Sequence, residues 1–268
     1  MPEAKHHDHT TFCWNQLATT DIDEAIVYYT SLFGWDVADE DLAGGESTIR
    51  LTLNGRFVAG LHALSDKEME HGWKARWEPF LQVNSITEML ERTREHHGNV
   101  LEPMVSAGSH GTLATISSPS GAALCLWEAG NFPGQGWITE NNAPAWHTLI
   151  ASSMDVEHEF WTALTGWNNV TDNPEGSHGL FTLGSNTPLA GTRIADRDLR
   201  ILLGRRQTQW IPHIQVQDCD SIAAEAEAIG GTIIVAPEDV LSIGRQALIA
   251  DPQGGTFGVI TPAVRTPA

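Results

Sequence analysis

Two stretches decide how this chain is read: Trp14–Trp35, "WNQLATTDIDEAIVYYTSLFGW", and Trp146–Trp167, "WHTLIASSMDVEHEFWTALTGW". Aligned at an offset of 132 residues (146 minus 14), they pair Trp14 with Trp146, Leu17 with Leu149, Asp23 with Asp155, Gly34 with Gly166 and Trp35 with Trp167. Further along, "WEPFLQV" from Trp77 matches "WIPHIQV" from Trp210 at an offset of 133 (210 minus 77). Gly98 and Gly231, Gly111 and Gly244, and the turns Pro119-Ser120-Gly121 and Pro252-Gln253-Gly254 keep that offset. One inserted residue between Trp167 and Trp210 reconciles the two, so the chain is one structural unit written twice.

Each copy carries the same punctuation. "FCWNQLAT" reads as a strand. Asp21 or Asp23 can cap the helix "IDEAIVYYTSLF", whose Ile22, Ala25, Ile26, Tyr29, Leu32 and Phe33 follow helical spacing up to Gly34. The strands "TIRLTLN", "RFVAGLHAL" and "FLQVN", a helix "ITEMLERTREHH" closed by Gly98, and a hairpin through Pro-Ser-Gly complete the copy. The pattern is βαβββ twice per copy, an α+β chain of four modules whose curled mixed sheets form open clefts. The expected boundaries are an N-terminal tail at 1–11, a first domain at 12–130, a Gly/Asn/Pro-rich exposed linker at 131–143, a second domain at 144–262 and a C-terminal tail at 263–268.

Charge narrows the partners. With 34 acidic against 15 basic residues the formal charge is −19, which repels nucleic acid and anionic membrane surfaces. No apolar run reaches the roughly eighteen residues that span a bilayer, and "MPEAKHHDHT" lacks the basic-then-apolar order of a secretion signal, so the expectation is a soluble cytoplasmic protein. Its three widely spaced cysteines, Cys13, Cys125 and Cys219, read as reduced thiols rather than as a disulfide or zinc scaffold. The order expected of a Ser-His-Asp triad and a Gly-rich phosphate loop are both absent from the sequence.

The two Asp–helix–aromatic–Gly-Trp segments and the two Pro-x-Gly hairpins resemble those of the vicinal oxygen chelate superfamily, which includes glyoxalase I, extradiol dioxygenases and bleomycin-binding proteins. The likeness covers almost all of residues 12–261 and is greatest to tandem glyoxalase-like members. It implies a cleft whose metal-using relatives hold a divalent ion from the first strand, the strand after the midpoint and the last hairpin. In this sequence those places fall on Trp14 and Trp146, on Glu78 and Ile211, and on Cys125 and Gly258. An indole has no lone pair for a metal, and one carboxylate with one thiol is not the donor set of a catalytic zinc or iron. The expectation is therefore a protein without a cofactor, with no metal at the usual place.

Strand alternation names what lines the clefts instead. Counting from those places, the cleft faces carry Trp14, Gln16, Glu78, Phe80, Gln82, Ala123, Cys125 and Trp127 in the first copy and Trp146, Thr148, Ile211, His213 and Gln215 in the second. Aromatic faces with a few amides suit an apolar or aromatic small molecule, with His213 and Glu78 as candidate acid–base groups for isomerase or lyase chemistry. His147 has the opposite parity and reads as structural, Trp73 and Trp137 as possible lids, and His6, His7 and His9 as part of a disordered terminus. The competing expectation is a metal-dependent glyoxalase or dioxygenase with displaced ligands: Glu78, His213 and one of His62, His71, His110 or His178. The ligand is a small molecule in either case, and the chain is expected to be a monomer or homodimer.

Overall fold

The repeat folds as two matching halves in the computed structural model, which describes residues 4–38, 48–137, 139–171, 178–184, 187–204, 207–240 and 243–263. The first half runs β1 (Phe12–Thr19), α1 (Ile22–Phe33), β2 (Asp36–Val37), β3 (Ile49–Leu53), β4 (Arg56–Ala63), a short α2 (Asp66–Glu70), β5 (Arg76–Gln82), α3 (Ile86–Glu95), β6 (Asn99–Ser106), β7 (Gly111–Ser117) and β8 (Ala123–Ala129). The second runs β9 (Pro144–Ala151), α4 (Met154–Thr165), β10 (Asn168–Thr171), β11 (His178–Leu183), β12 (Thr187–Ile194), α5 (Arg197–Leu203), β13 (Gln209–Gln215), α6 (Cys219–Ala228), β14 (Thr232–Val240), β15 (Gly244–Ala250) and β16 (Thr256–Pro262).

Local chemistry sets the boundaries. The Asp21 carboxylate accepts the Glu24 amide at 3.0 Å, and Gly34 stops α1 with φ 66°, a left-handed conformation that a side chain disfavours. The expected end of α3 at His97 lies two residues too far: the helix closes at Glu95, because His97 takes φ 63° and turns the chain toward Gly98.

Each half forms its own eight-stranded mixed sheet, in the orders β2-β3-β4-β1-β5-β8-β7-β6 and β10-β11-β12-β9-β13-β16-β15-β14. The two βαβββ modules of a half join through antiparallel β1–β5 or β9–β13, flanked by parallel β1–β4, β5–β8, β12–β9 and β13–β16. The outer strands of each sheet do not pair with each other, so neither sheet is a closed barrel. The fold is α+β, and no helix among the described residues is long and apolar enough to cross a membrane.

The halves are not beads on a string. Tyr28, Tyr29 and Phe33 of α1 share a core with Ile249, Phe257 and Val259 of the second sheet, while Phe160, Trp161 and Leu164 of α4 share one with Leu81, Ile116 and Leu126 of the first. Near the pseudo-twofold axis His147 Nε2 meets Asn15 Oδ1 at 2.8 Å, and these two positions are repeat equivalents (147 minus 132 is 15). His147 is thus structural, as its parity suggested.

The same symmetry corrects the expected tail and linker. Thr10 and Asn142 are equivalents (142 minus 132 is 10), both with positive φ, 58° and 65°. Trp167 Nε1–H donates to the Thr10 carbonyl at 2.9 Å and Trp35 Nε1–H to the Asn142 carbonyl at 2.5 Å, so each half anchors the entry segment of the other. The linker was expected to be exposed; instead Gln135 and Ala143 are buried and the Gln135 amide donates to the Cys13 carbonyl at 2.8 Å. His7 reaches the Gln135 carbonyl at 3.1 Å and His9 accepts the Asn84 amide at 3.2 Å, which ties down a segment expected to be disordered. Of the expected C-terminal tail only Ala263 falls within the described residues.

Two buried carboxylates close the seam. Tyr29 O–H donates to Asp251 Oδ2 at 2.8 Å and itself accepts Trp77 Nε1–H at 2.9 Å. At the equivalent place the turn carries Ser118 (251 minus 133) and the acid has moved to the helix: Glu157 accepts Ser118 O–H at 2.8 Å, Trp161 Nε1–H at 2.7 Å and Ser120 O–H. Burial pushes both carboxyls up, Asp251 to about 6.

Candidate functional site

The first sheet's concave face is floored by rings. Trp14 of β1, Phe80 of β5 and Trp127 of β8 pack with Cys13 and Cys125, and Phe132, just past β8, stands edge-on to Trp14 with centroids 5.1 Å apart. Gly60 of β4 is what lets the Trp14 indole lie down, since a Cβ there would come within 3.2 Å of it. The Phe132 carbonyl accepts Trp127 Nε1–H at 3.0 Å, and the Arg50 guanidinium sits 4.3 Å from the Phe132 ring centroid.

A polar line crosses this floor. Gln16 Nε2 lies 2.8 Å from His62 Nδ1, and His62 Nε2 lies 4.0 Å from Glu78 Oε2. Arg76 donates from Nε to Glu78 Oε1 at 2.8 Å and from Nη2 to Glu68 Oε1 at 2.5 Å, under the Trp73 ring at 5.6 Å. With the Gln16 amide donating, His62 carries its proton on Nε2, toward Glu78. Partial burial works against ionisation of Glu68, but the Ser65 amide and hydroxyl and Arg76 hold its carboxyl down at about 2. Burial pushes the Cys125 thiol well above its ordinary range, which makes it a filler rather than a nucleophile.

The depression over this floor measures about 2020 Å³ and continues to the seam between the halves. Trp14, Gln16, Glu78, Phe80, Ala123, Cys125 and Trp127 all line it, as strand parity placed them. Trp73 stands at its rim, as a lid would. Trp137 does not: its Nε1–H donates to the Leu53 carbonyl at 3.0 Å and Arg56 covers its ring. Gln82 turns to the Val83 carbonyl at 3.0 Å instead of lining the cleft.

Among the described residues, the second concave face is filled by side chains. A void of only about 10 Å³ remains beside Thr148 and His213. His213 is 1 % exposed, so the expectation that it faces an open cleft fails. Its ring lies where a side chain at Gly258 would be, 2.1 Å from an added Cβ, and this is why glycine stands opposite Cys125 in the repeat. His213 Nδ1 faces the Ile211 carbonyl at 3.2 Å, and burial lowers its pKa to about 4. Arg193 of β12 and Glu238 of β14, on opposite walls of the sheet, pair across the face. Ile211 is wholly buried, Trp146 lies outside the void, and Gln215 ties to Asn141 at 3.2 Å.

This arrangement also tests the displaced-ligand expectation. Glu78 and His213 sit in different sheets, His178 lies on β11, and among the described residues no group of three or more His, Cys, Asp or Glu side chains is placed to hold a metal ion. Among the described residues, the donor sets of the two faces do not fit the divalent ion of the metal-using relatives. Parity missed Arg50, His62 and Arg76 as members of the first face. His62 was reachable, because β4 pairs in register with β1; Phe132, which comes from the linker, left no signal in the sequence.

Paired βαβββ modules around a cup-shaped face define a glyoxalase-type class of protein. Residues 6–126 match the family described as "Glyoxalase/Bleomycin resistance protein/Dioxygenase superfamily" and residues 147–260 match a "Glyoxalase-like domain". The chain belongs to this superfamily. It is 30 % identical over 264 residues to "Putative glyoxylase CFP32" of Mycobacterium tuberculosis, covering 98 % of this chain and 99 % of that protein. It is 27 % identical over 266 residues to "Anthracycline biosynthesis protein DauV" of a Streptomyces species, covering 92 % and 91 %. Among solved structures, a Mn(II)-bound glyoxalase from Novosphingobium aromaticivorans superposes with a TM-score of 0.62 at 13 % identity over 94 % of this chain and 82 % of that one, a likeness of fold.

Proposed function

We propose that the first concave face binds an extended aromatic small molecule and moves a proton on it without a metal, with Glu78 as base and His62 as its proton-carrying neighbour. The observation that carries this reading is the depression over Trp14, Phe80, Trp127 and Phe132, whose first three rings are 4 %, 7 % and 5 % exposed, with the Gln16–His62–Glu78–Arg76 line running across it. The rings make its floor apolar, and the polar line supplies orientation and a proton path. Arg76 fixes one Glu78 oxygen and leaves the other toward His62. The relative named for anthracycline biosynthesis supports a fused-ring ligand.

The test uses probes rather than a known substrate. Tryptophan fluorescence titration with β-naphthol should give saturable binding that Phe80→Ala weakens roughly tenfold, about 1.4 kcal/mol. Exchange of the α-proton of an aryl hydroxyketone into deuterated water, followed by NMR, should slow about a hundredfold in Glu78→Gln. Binding with no exchange above background would leave a sequestering protein, and absence of binding would remove the reading altogether.

A further inference from the structure

The wall of the cup that faces away from Arg76 carries a carboxylate of its own. Glu102 of β6 lines the depression, is exposed, and accepts the Thr115 hydroxyl on Oε2 at 3.0 Å. Thr115 of β7 in turn lies 3.7 Å from Cys125 Sγ. Strand register thus carries one polar row over the concave face: His62, Gln16 and Glu78 on one side of Cys125, Thr115 and Glu102 on the other. Burial is the main cause of the raised Cys125 thiol, and the charges of Glu78 and Glu102 add to it, so both carboxylates act on the same atom of the floor.

The two acids differ in what balances them. Glu78 shares the Arg76 guanidinium with Glu68. Glu102 makes no ion pair among the described residues, and its Oε1 has no hydrogen-bond partner there. Of the other basic side chains along the depression, Arg50 lies against the Phe57 and Phe132 rings, and the Lys74 stem lies against Gly254 of the second half. In the packed half Glu78, Thr115 and Glu102 are replaced, in register, by Ile211, Leu248 and Val235, which gather in one apolar cluster. The sheet therefore pairs its strands equally well without the acids. A lone carboxylate beside an apolar floor attracts a cation once a ligand displaces its water, and the formal charge of −19 on the chain acts in the same sense.

We propose that Glu102, held by Thr115, is a specificity residue of the cup and selects aromatic ligands that carry a protonated amine. The proposal rests on the aromatic reading of the first face. The ring system takes the apolar floor and the ammonium group donates to Glu102 Oε1, on the far side of Cys125 from the Glu78 base. An anionic ligand is disfavoured, because it would strip water from Glu102 and leave two like charges together.

Calorimetric titration of the full chain at neutral pH with 2-naphthylmethylamine, protonated there, and with neutral 2-naphthylmethanol tests it. The amine should bind at least about tenfold tighter than the alcohol, the scale of a hydrogen bond to a charged group. Glu102→Gln, an exposed substitution that keeps the side-chain shape and an acceptor for Thr115, should abolish that difference. Thr115→Val, which releases the carboxylate, should reduce it. Glu91→Gln removes the same charge from the exposed face of α3, outside the depression, and should leave the difference intact. An amine no tighter than the alcohol, a preference that survives Glu102→Gln, or an equal loss in Glu91→Gln overturns the role of Glu102 while alcohol binding keeps the aromatic reading. Amine binding without alcohol binding removes the aromatic reading and keeps the carboxylate, and binding of neither removes both.

Discussion

The two concave faces share strand order, register and hairpins, yet one lies open and the other is packed shut. Four substitutions at equivalent positions account for the difference. Phe80 and Cys125 of the first face become His213 and Gly258 in the second, so a ring drops onto a bare backbone. His62 and Val105 become Arg193 and Glu238, two long side chains that meet across the face. A duplicated scaffold thus keeps its backbone while a handful of side chains decide whether a cup can receive anything.

The largest effect expected from this contrast is at Gly258. Gly258→Ala places a methyl into the His213 ring and should destabilise the fold by roughly 3 kcal/mol or more, whereas Cys125→Ala, at the equivalent position over the open cup, should cost about 1 kcal/mol. Denaturant unfolding of the pair measures this, and equal costs would mean that the second face is not tightly packed.

Next comes the seam that both faces share. Burial raises the Asp251 carboxyl to about 6 from 3.8, so the folded state holds this proton more tightly than the unfolded chain does. Its contribution is therefore fully present below the unfolded value and lost as pH rises through about 6. Stability should fall by roughly 2 kcal/mol between about pH 4.5 and pH 7 through this group. Asp251→Asn should remove that slope, leaving the one of the same sign set by Glu157, and an unchanged slope would place the titration elsewhere.

The smallest effect on stability is expected at the pair that spans the second face. Glu238→Gln should change unfolding free energy by less than about 1 kcal/mol, as for other partly exposed ion pairs. It should nevertheless admit diethyl pyrocarbonate to His213, which is neutral above its lowered pKa and is shielded only by packing. Peptide mass spectrometry should find His213 unmodified in the wild type and modified in the variant; modification in both would show that Arg193 and Glu238 do not keep the face closed.

Much of this was legible in the residues. The repeat alignment placed both halves, and the interval from Asp21 to Gly34 gave α1 its observed ends, because caps and left-handed glycines act within a few residues. Parity likewise put Trp14, Glu78, Phe80 and Trp127 on the same face. It failed for His213 because alternation says which face a side chain takes and not whether that face is filled. Filling depends on Gly258 and on a pairing between β12 and β14, which no local pattern reports. The entry segments were misread for a related reason: Trp35 and Trp167 follow helix-ending glycines as packing residues should, but their indole donors reach across to the other half.

That crossing has a consequence for synthesis. The aromatic side of α1 leaves the ribosome early, yet its partner Phe257 lies 224 residues after Phe33 (257 minus 33). At usual translation rates the nascent first half waits roughly 10 to 50 s with Tyr28, Tyr29 and Phe33 covered only on the side of their own sheet. Completion of the chain, rather than completion of a domain, is then the event that buries them, and in that interval the growing polypeptide presents an aromatic stripe to any chaperone that recognises one.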